Sequence, residues 1–180
     1  MANLHISRWR TAAGLIGLLA GLAIAAAEPE DELKSATVLT FIRHAEWLQG
    51  AAAGPITIGV TGRPSMVRML QRTLDGKTAN NRAIRIVDAT APAELNSCQV
   101  LYVATDNNSE IRQTLAGVRT AHALTIGESG RFLEYGGAVN LLIVDGHMSF
   151  EVSLEALDRA GVSISSKLLR YGQVKARPPA

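Results

Sequence analysis

A single cysteine, Cys98, rules out an intramolecular disulfide. It directly precedes the apolar run Val100-Leu101-Tyr102-Val103-Ala104, where a free thiol packs as a small hydrophobe. The chain has no Gly-x-Gly-x-x-Gly and no Gly-Lys-Ser/Thr, so the common nucleotide-binding loops are missing. It has no Gly-x-Ser-x-Gly nucleophile elbow. His5, His44, His122 and His147 form no i, i+4 pair with an acid, which argues against a zinc site. No repeat or low-complexity linker divides residues 28–180, so they are expected to form one domain. These absences exclude most enzyme classes; no catalytic residue, metal or cofactor is assigned.

A long apolar run occurs once. Arg8 and Arg10 precede residues 11–27, which are apolar and end Ala25-Ala26-Ala27; then comes Glu28-Pro29-Glu30-Asp31-Glu32. A basic head, an apolar middle and small residues before an acidic stretch make residues 1–27 a signal peptide, removed on export. The run is shorter than the ~20 residues of a bilayer span, and glycines weaken it further. The eighteen lysines and arginines, less Arg8 and Arg10, equal the sixteen acidic residues, so the mature chain is neutral. A neutral domain lacks the electrostatic attraction that nucleic-acid binding requires.

What is present is a regular alternation of strands and helices. The Val38, Phe41, Ile42, Ala45 and Leu48 spacing predicts a helix from about residue 30 to Leu48, placing Trp47 near its end. Strands are predicted at 56–60, 83–87, 100–104 and 122–126, and helices at 66–74 and 110–118, with a weak turn at 92–95. Val139 to Val144 runs into Asp145-Gly146, a dipeptide suited to a turn with two positive φ values, and Met148, Phe150 and Val152 return on one face. Ser153 is an N-cap and Gly161 a helix stop. Residues 162–164 read as extended, 165–171 as a final turn, and 175–180 as a tail. The expectation is an α/β fold: a mainly parallel sheet with helices on both faces and a C-terminal antiparallel hairpin.

In such sheets ligands sit beyond the carboxyl ends of the strands. Those ends carry Thr61-Gly62-Arg63, Asp88, Thr105-Asp106-Asn107-Asn108 and Glu128-Ser129. Gly62-Arg63-Pro64-Ser65 can hold an anion on helix amides, or be an ordinary turn. Asp106 with Ser109 reads as a helix cap before a hydrolase pair. Phe132, Leu133, Leu168 and Leu169 are apolar residues expected either at a partner or dimer surface or in the core.

The chain resembles the YfiR family of periplasmic proteins over about residues 33–174. The resemblance is carried by Leu124-Thr125-Ile126-Gly127-Glu128, Phe132, residues 136–141, Phe150-Glu151-Val152-Ser153-Leu154-Glu155-Ala156 and Ile164-Ser165-Ser166-Lys167-Leu168-Leu169-Arg170. Upstream, Phe41, Glu46-Trp47, Ile58-Gly59-Val60 and residues 98–103 continue it. The resemblance implies an α/β domain that tends to dimerise. It also implies a repressor that contacts the periplasmic domain of an inner-membrane diguanylate cyclase or sensor protein, and that an OmpA-like outer-membrane lipoprotein can sequester. Cyclic-di-GMP and biofilm output follow from that contact. Cys98 matches a cysteine that is disulfide-paired in redox-sensitive members; its partner is absent here, so redox control is not implied. A small ligand near the first helix and the late extended segment would by position meet Trp47, Ser163 and Ser165. The rival readings are a periplasmic small-molecule binding module and a hydrolase built on Asp106, Ser109 and a histidine.

Overall fold

The computed structural model describes residues 14–48, 54–118 and 122–175. The head of the expected leader, part of the small-residue loop before the first sheet strand and the last five residues lie outside them. Eight strands form one sheet: β2 (Ile56–Gly62), β3 (Thr78–Ala79), β4 (Arg82–Asp88), β5 (Val100–Ala104), β6 (Leu124–Gly127), β7 (Val139–Val144), β8 (His147–Ser153) and β10 (Gln173–Lys175). Their spatial order is β10-β8-β7-β6-β5-β2-β4-β3. From β4 to β7 every neighbouring pair is parallel. The β7–β8 hairpin is antiparallel, and β3 adds antiparallel to β4. The α/β expectation holds, hairpin included.

Side chains of β5 alternate between two cores, as period two demands. Val100, Tyr102 and Ala104 enter a large cluster with Val38, Phe41 and Ile42 of α1 (Gly14–His44) and Met66 and Leu70 of α2 (Pro64–Leu74). Leu101 and Val103 enter a second cluster with Leu95 of α3 (Pro92–Ser97), Ile111 and Leu115 of α4 (Asn108–Gly117), and Phe132. Cys98 is buried there, its thiol donating to the Glu94 carbonyl at 3.1 Å; burial pushes its pKa up, so it is an inert packing group. Phe41 and Phe150 meet edge to face at 5.0 Å, tying α1 to β8.

The hairpin turn forms as expected, Asp145 and Gly146 both having positive φ. Ser153 caps α5 (Leu154–Ala160), and Gly161 ends it in the left-handed conformation. The cap of α4 is Asn107, whose side chain accepts from Ser109 and Glu110 amides and from the Ser109 hydroxyl.

The elements differ from the sequence expectation in several places: α1 begins at Gly14 rather than near residue 30, β3 is an added strand, and three further differences bear on the site. The first helix stops at His44, and Ala45–Trp47 become β1, antiparallel to β9 (Val162–Ile164). Pairing with a distant segment overrides the helical spacing, and Leu48 is left 70% exposed. Residues 173–175, expected to be irregular or tail, form β10 along β8. Strand β6 begins at Leu124, leaving His122 exposed, with its Nδ1 3.2 Å from the Ala160 carbonyl.

Candidate functional site

Taken in chain order, the parallel strands β2, β4, β5, β6 and β7 lie in the spatial order 2-1-3-4-5. Chain direction across the sheet therefore reverses between β2 and β5, and the carboxyl ends of those strands flank the crevice where such folds hold ligands. Here the crevice is occupied by the protein's own charges. Arg63, which follows β2 and caps α2, has its turn fixed by its amide donating to the Ala104 carbonyl of β5 at 2.9 Å. Its guanidinium donates to both Asp31 oxygens at 3.1 Å, to Glu128 at 2.7 Å and to the Ser65 hydroxyl at 3.2 Å. Lys34 pairs with the other Glu128 oxygen at 3.0 Å, and the buried Tyr102 hydroxyl donates to that same oxygen at 2.8 Å.

The electrostatics follow from these contacts. Burial alone raises the Glu128 pKa, but the Arg63 hydrogen bond, the Lys34 and Arg63 charges and the Tyr102 bond outweigh it, holding the carboxyl below its ordinary range. Arg63 is held even more firmly protonated than usual, chiefly by Asp31. Burial and the Glu128 charge push Tyr102 well upward. At neutral pH Glu128 is thus ionised, while Arg63 and Tyr102 keep their protons. A cavity of about 400 Å³ adjoins it, walled also by Glu30, Thr105 and Asp106.

A second concavity lies at the carboxyl end of α1. The β1–β9 ladder brings the end of the first helix against the late extended segment, opening a groove of about 670 Å³. Trp47 and Ser165 both line it, with Arg43, His44, Glu46, Asn80, Arg82 and Lys167 among its other walls. Trp47 is half-buried and donates through Nε1 to the Gln99 carbonyl at 3.3 Å. Ser165 caps α6 (Ser166–Leu169), its hydroxyl accepting from the Lys167 amide. Ser163 is exposed opposite Glu46 and is not among the groove's walls. Two of the three ligand-position residues therefore converge. Arginines 43 and 82 and Lys167 against Glu46 give the groove a positive balance.

The four apolar surface candidates do not form one patch. Phe132 is fully buried and Leu168 is 8% exposed, so of the two placements expected, surface or core, these two take the core one. Leu133 and Leu169 are half-buried, the first against the smaller cluster and the second against the larger. The physical reason is local. Phe132 anchors a crossover that has no helix to cover the sheet, and Leu168 fills the inner side of a single helical turn.

Sequence reasoning flagged Arg63 and Glu128 as strand-end groups but missed Asp31 and Lys34. The available signal was the buried stripe of α1 itself. Positions 31, 35, 38, 42 and 45 share a face, and the first two are polar yet only 5% and 0% exposed. A polar residue on a core-facing stripe implies a buried partner.

No curated protein gives a significant match. A solved structure of a conserved domain protein from Vibrio cholerae superposes with a TM-score of 0.56 at 14% identity, covering 82% of this chain, which spans 60% of that protein's length. At that identity the likeness shows the fold alone. An ABC domain in complex with L-Trp from Streptococcus pneumonia gives a TM-score of 0.48 at 11% identity, over 66% of this chain and 55% of that one, too loose a likeness to carry an argument. The sequence profile described as YfiR/HmsC-like matches residues 31–173, from the buried Asp31 to the first residue of β10, and the chain belongs to that family.

Proposed function

We propose that this protein is a periplasmic regulator that binds and restrains a membrane-bound diguanylate cyclase, lowering cyclic-di-GMP and biofilm output. The observation that carries the reading is the family match across residues 31–173. The polar side chains at the switch point support it, because they are spent on one another. Restraint then works by preferential binding to the inactive state of the cyclase's periplasmic domain. The half-buried Leu133 and Leu169 remain candidates for partner contact; an OmpA-like lipoprotein that sequesters the protein, and a homodimer, belong to the same reading. Among the described residues no helix is long and apolar enough to cross a membrane. Export through a cleaved leader, residues 1–27, completes the proposal.

Deleting the gene is expected to raise cyclic-di-GMP, with the mature protein recovered from the periplasmic fraction of wild-type cells. An unchanged level with every candidate cyclase expressed would overturn the reading.

The groove at Trp47 favours a second reading, a module for a small anionic ligand. A ligand that binds only the folded state raises the melting temperature by mass action, by about 2.7 kcal/mol of stability at a hundredfold excess over Kd. In a thermal-shift screen of small carboxylates and phosphates, a hit is expected to weaken about tenfold in Lys167→Ala, the loss of roughly one charge-assisted contact. Hits that bind Lys167→Ala equally well place the ligand elsewhere.

A further inference from the structure

The buried stripe of α1 changes chemistry halfway along. From Val38 to Ala45 it is apolar and part of the main core. At Asp31, Lys34 and Ser35 its side chains make polar contacts: Asp31 on Arg63, Lys34 on Glu128, and the Ser35 hydroxyl on Thr73 at 2.5 Å, whose own proton goes to the Met69 carbonyl. The two halves rest on unequal forces. Burying apolar groups is strongly favourable. Burying ion pairs is nearly neutral, because the desolvation cost offsets the attraction. The charges facing this segment are also unbalanced: Glu30, Asp31, Asp106 and Glu128 surround Lys34 and Arg63. Arg63 pairs with both Asp31 and Glu128, and shares Glu128 with Lys34.

We propose that residues 31–35 form a charge-held latch over the carboxyl edge of the sheet, which opens as a unit while residues 38–45 stay docked. Opening returns Asp31 and Lys34 to water and uncovers Arg63, Glu128 and the Tyr102 hydroxyl at the switch point. The result is a two-state element at one end of the molecule, which a partner can bias by binding either form. This device goes beyond the restraint proposed above and does not depend on which partner is restrained.

Native-state hydrogen exchange of the full mature chain in low urea tests it. Amides of residues 32–36 are expected to exchange about tenfold or more faster than those of 39–44, with a shallow urea dependence that marks local opening, whereas 39–44 follow the steep dependence of global unfolding. Arg63→Met is expected to speed residues 32–36 about tenfold further and leave 39–44 unchanged. A common rate and slope for the two stretches, or an Arg63→Met effect that is equal in both or absent, overturns the latch. Should Arg63→Met fail to fold, the wild-type urea series decides alone.

Discussion

Replacing Phe132 by alanine is expected to lower the unfolding free energy by about 3–5 kcal/mol, among the largest effects of any single truncation in this fold. The ring is fully buried, and its surroundings explain the size of the effect. A Cβ built on Gly127 would lie 2.4 Å from the ring, and one built on Gly137 would lie 2.1 Å from it. The ring thus rests on bare backbone at the end of β6 and just before β7. The crossover between those strands is short and contains no helix, and it is closed by the Phe132 amide donating to the Ser129 carbonyl and the Gly137 amide donating to the Phe132 carbonyl. With the ring gone, no neighbouring side chain extends from either glycine to fill the void. Each kcal/mol lowers the melting temperature by about 2–4 °C in a domain of this size, so a fall of roughly 6–20 °C is expected. Filling the same slot from the other side, as in Gly137→Ala, is also destabilising, because the ring and the new methyl group cannot share the space. Urea unfolding measures both. A Phe132→Ala cost below 1 kcal/mol, with partner binding lost, would favour the surface placement, the other of the two that the sequence left open.

Glu128→Gln is expected to cost about 2–3 kcal/mol near neutral pH, the loss of charged hydrogen bonds from Arg63, Tyr102 and Lys34 at a side chain only 10% exposed. Its pH dependence is the sharper part. The folded-state pKa of Glu128 lies below its ordinary value of 4.5. Stability from its ionised form is therefore fully present above the unfolded-state pKa and is lost as pH falls through the folded-state pKa. Wild type and Glu128→Gln should differ by a constant amount above about pH 5 and converge in acid, where a protonated Glu128 resembles glutamine. Urea unfolding of both proteins at pH 7 and pH 3 is the check. An equal gap at both values, or no gap at pH 7, would show that the carboxylate's charge does not hold the cluster.

Much of the fold was legible because its signals were local. The short apolar run at residues 100–104, the Asp145-Gly146 turn, the Ser153 cap and the Gly161 stop each specify backbone geometry within a few residues. What escaped was set at a distance. Ala45 continues the helical stripe of α1 without a break, and only β9, more than a hundred residues later, turns Ala45-Glu46-Trp47 into a strand. Gln173-Val174-Lys175 has no pattern of its own and pairs because β8 offers an open edge. Phe132 looked like any apolar residue, since two glycines five positions to either side show no slot until their strands are placed side by side. The polar cluster was half visible: strand ends marked Arg63 and Glu128, while Asp31 read only as part of the acidic stretch at 28–32. Trp47 and Ser165 met in one groove because the ladder that hid β1 also brings them together.

That small ladder constrains how the chain reaches its final state. Ala45 faces Ile164, so the end of the first packed helix is not secured until nearly all the sequence is available. Contacts so far apart close slowly, because the intervening loop must first lose its freedom. A polypeptide delivered amino end first therefore keeps its opening segment incompletely folded for most of the journey, and completes it in one late, cooperative step.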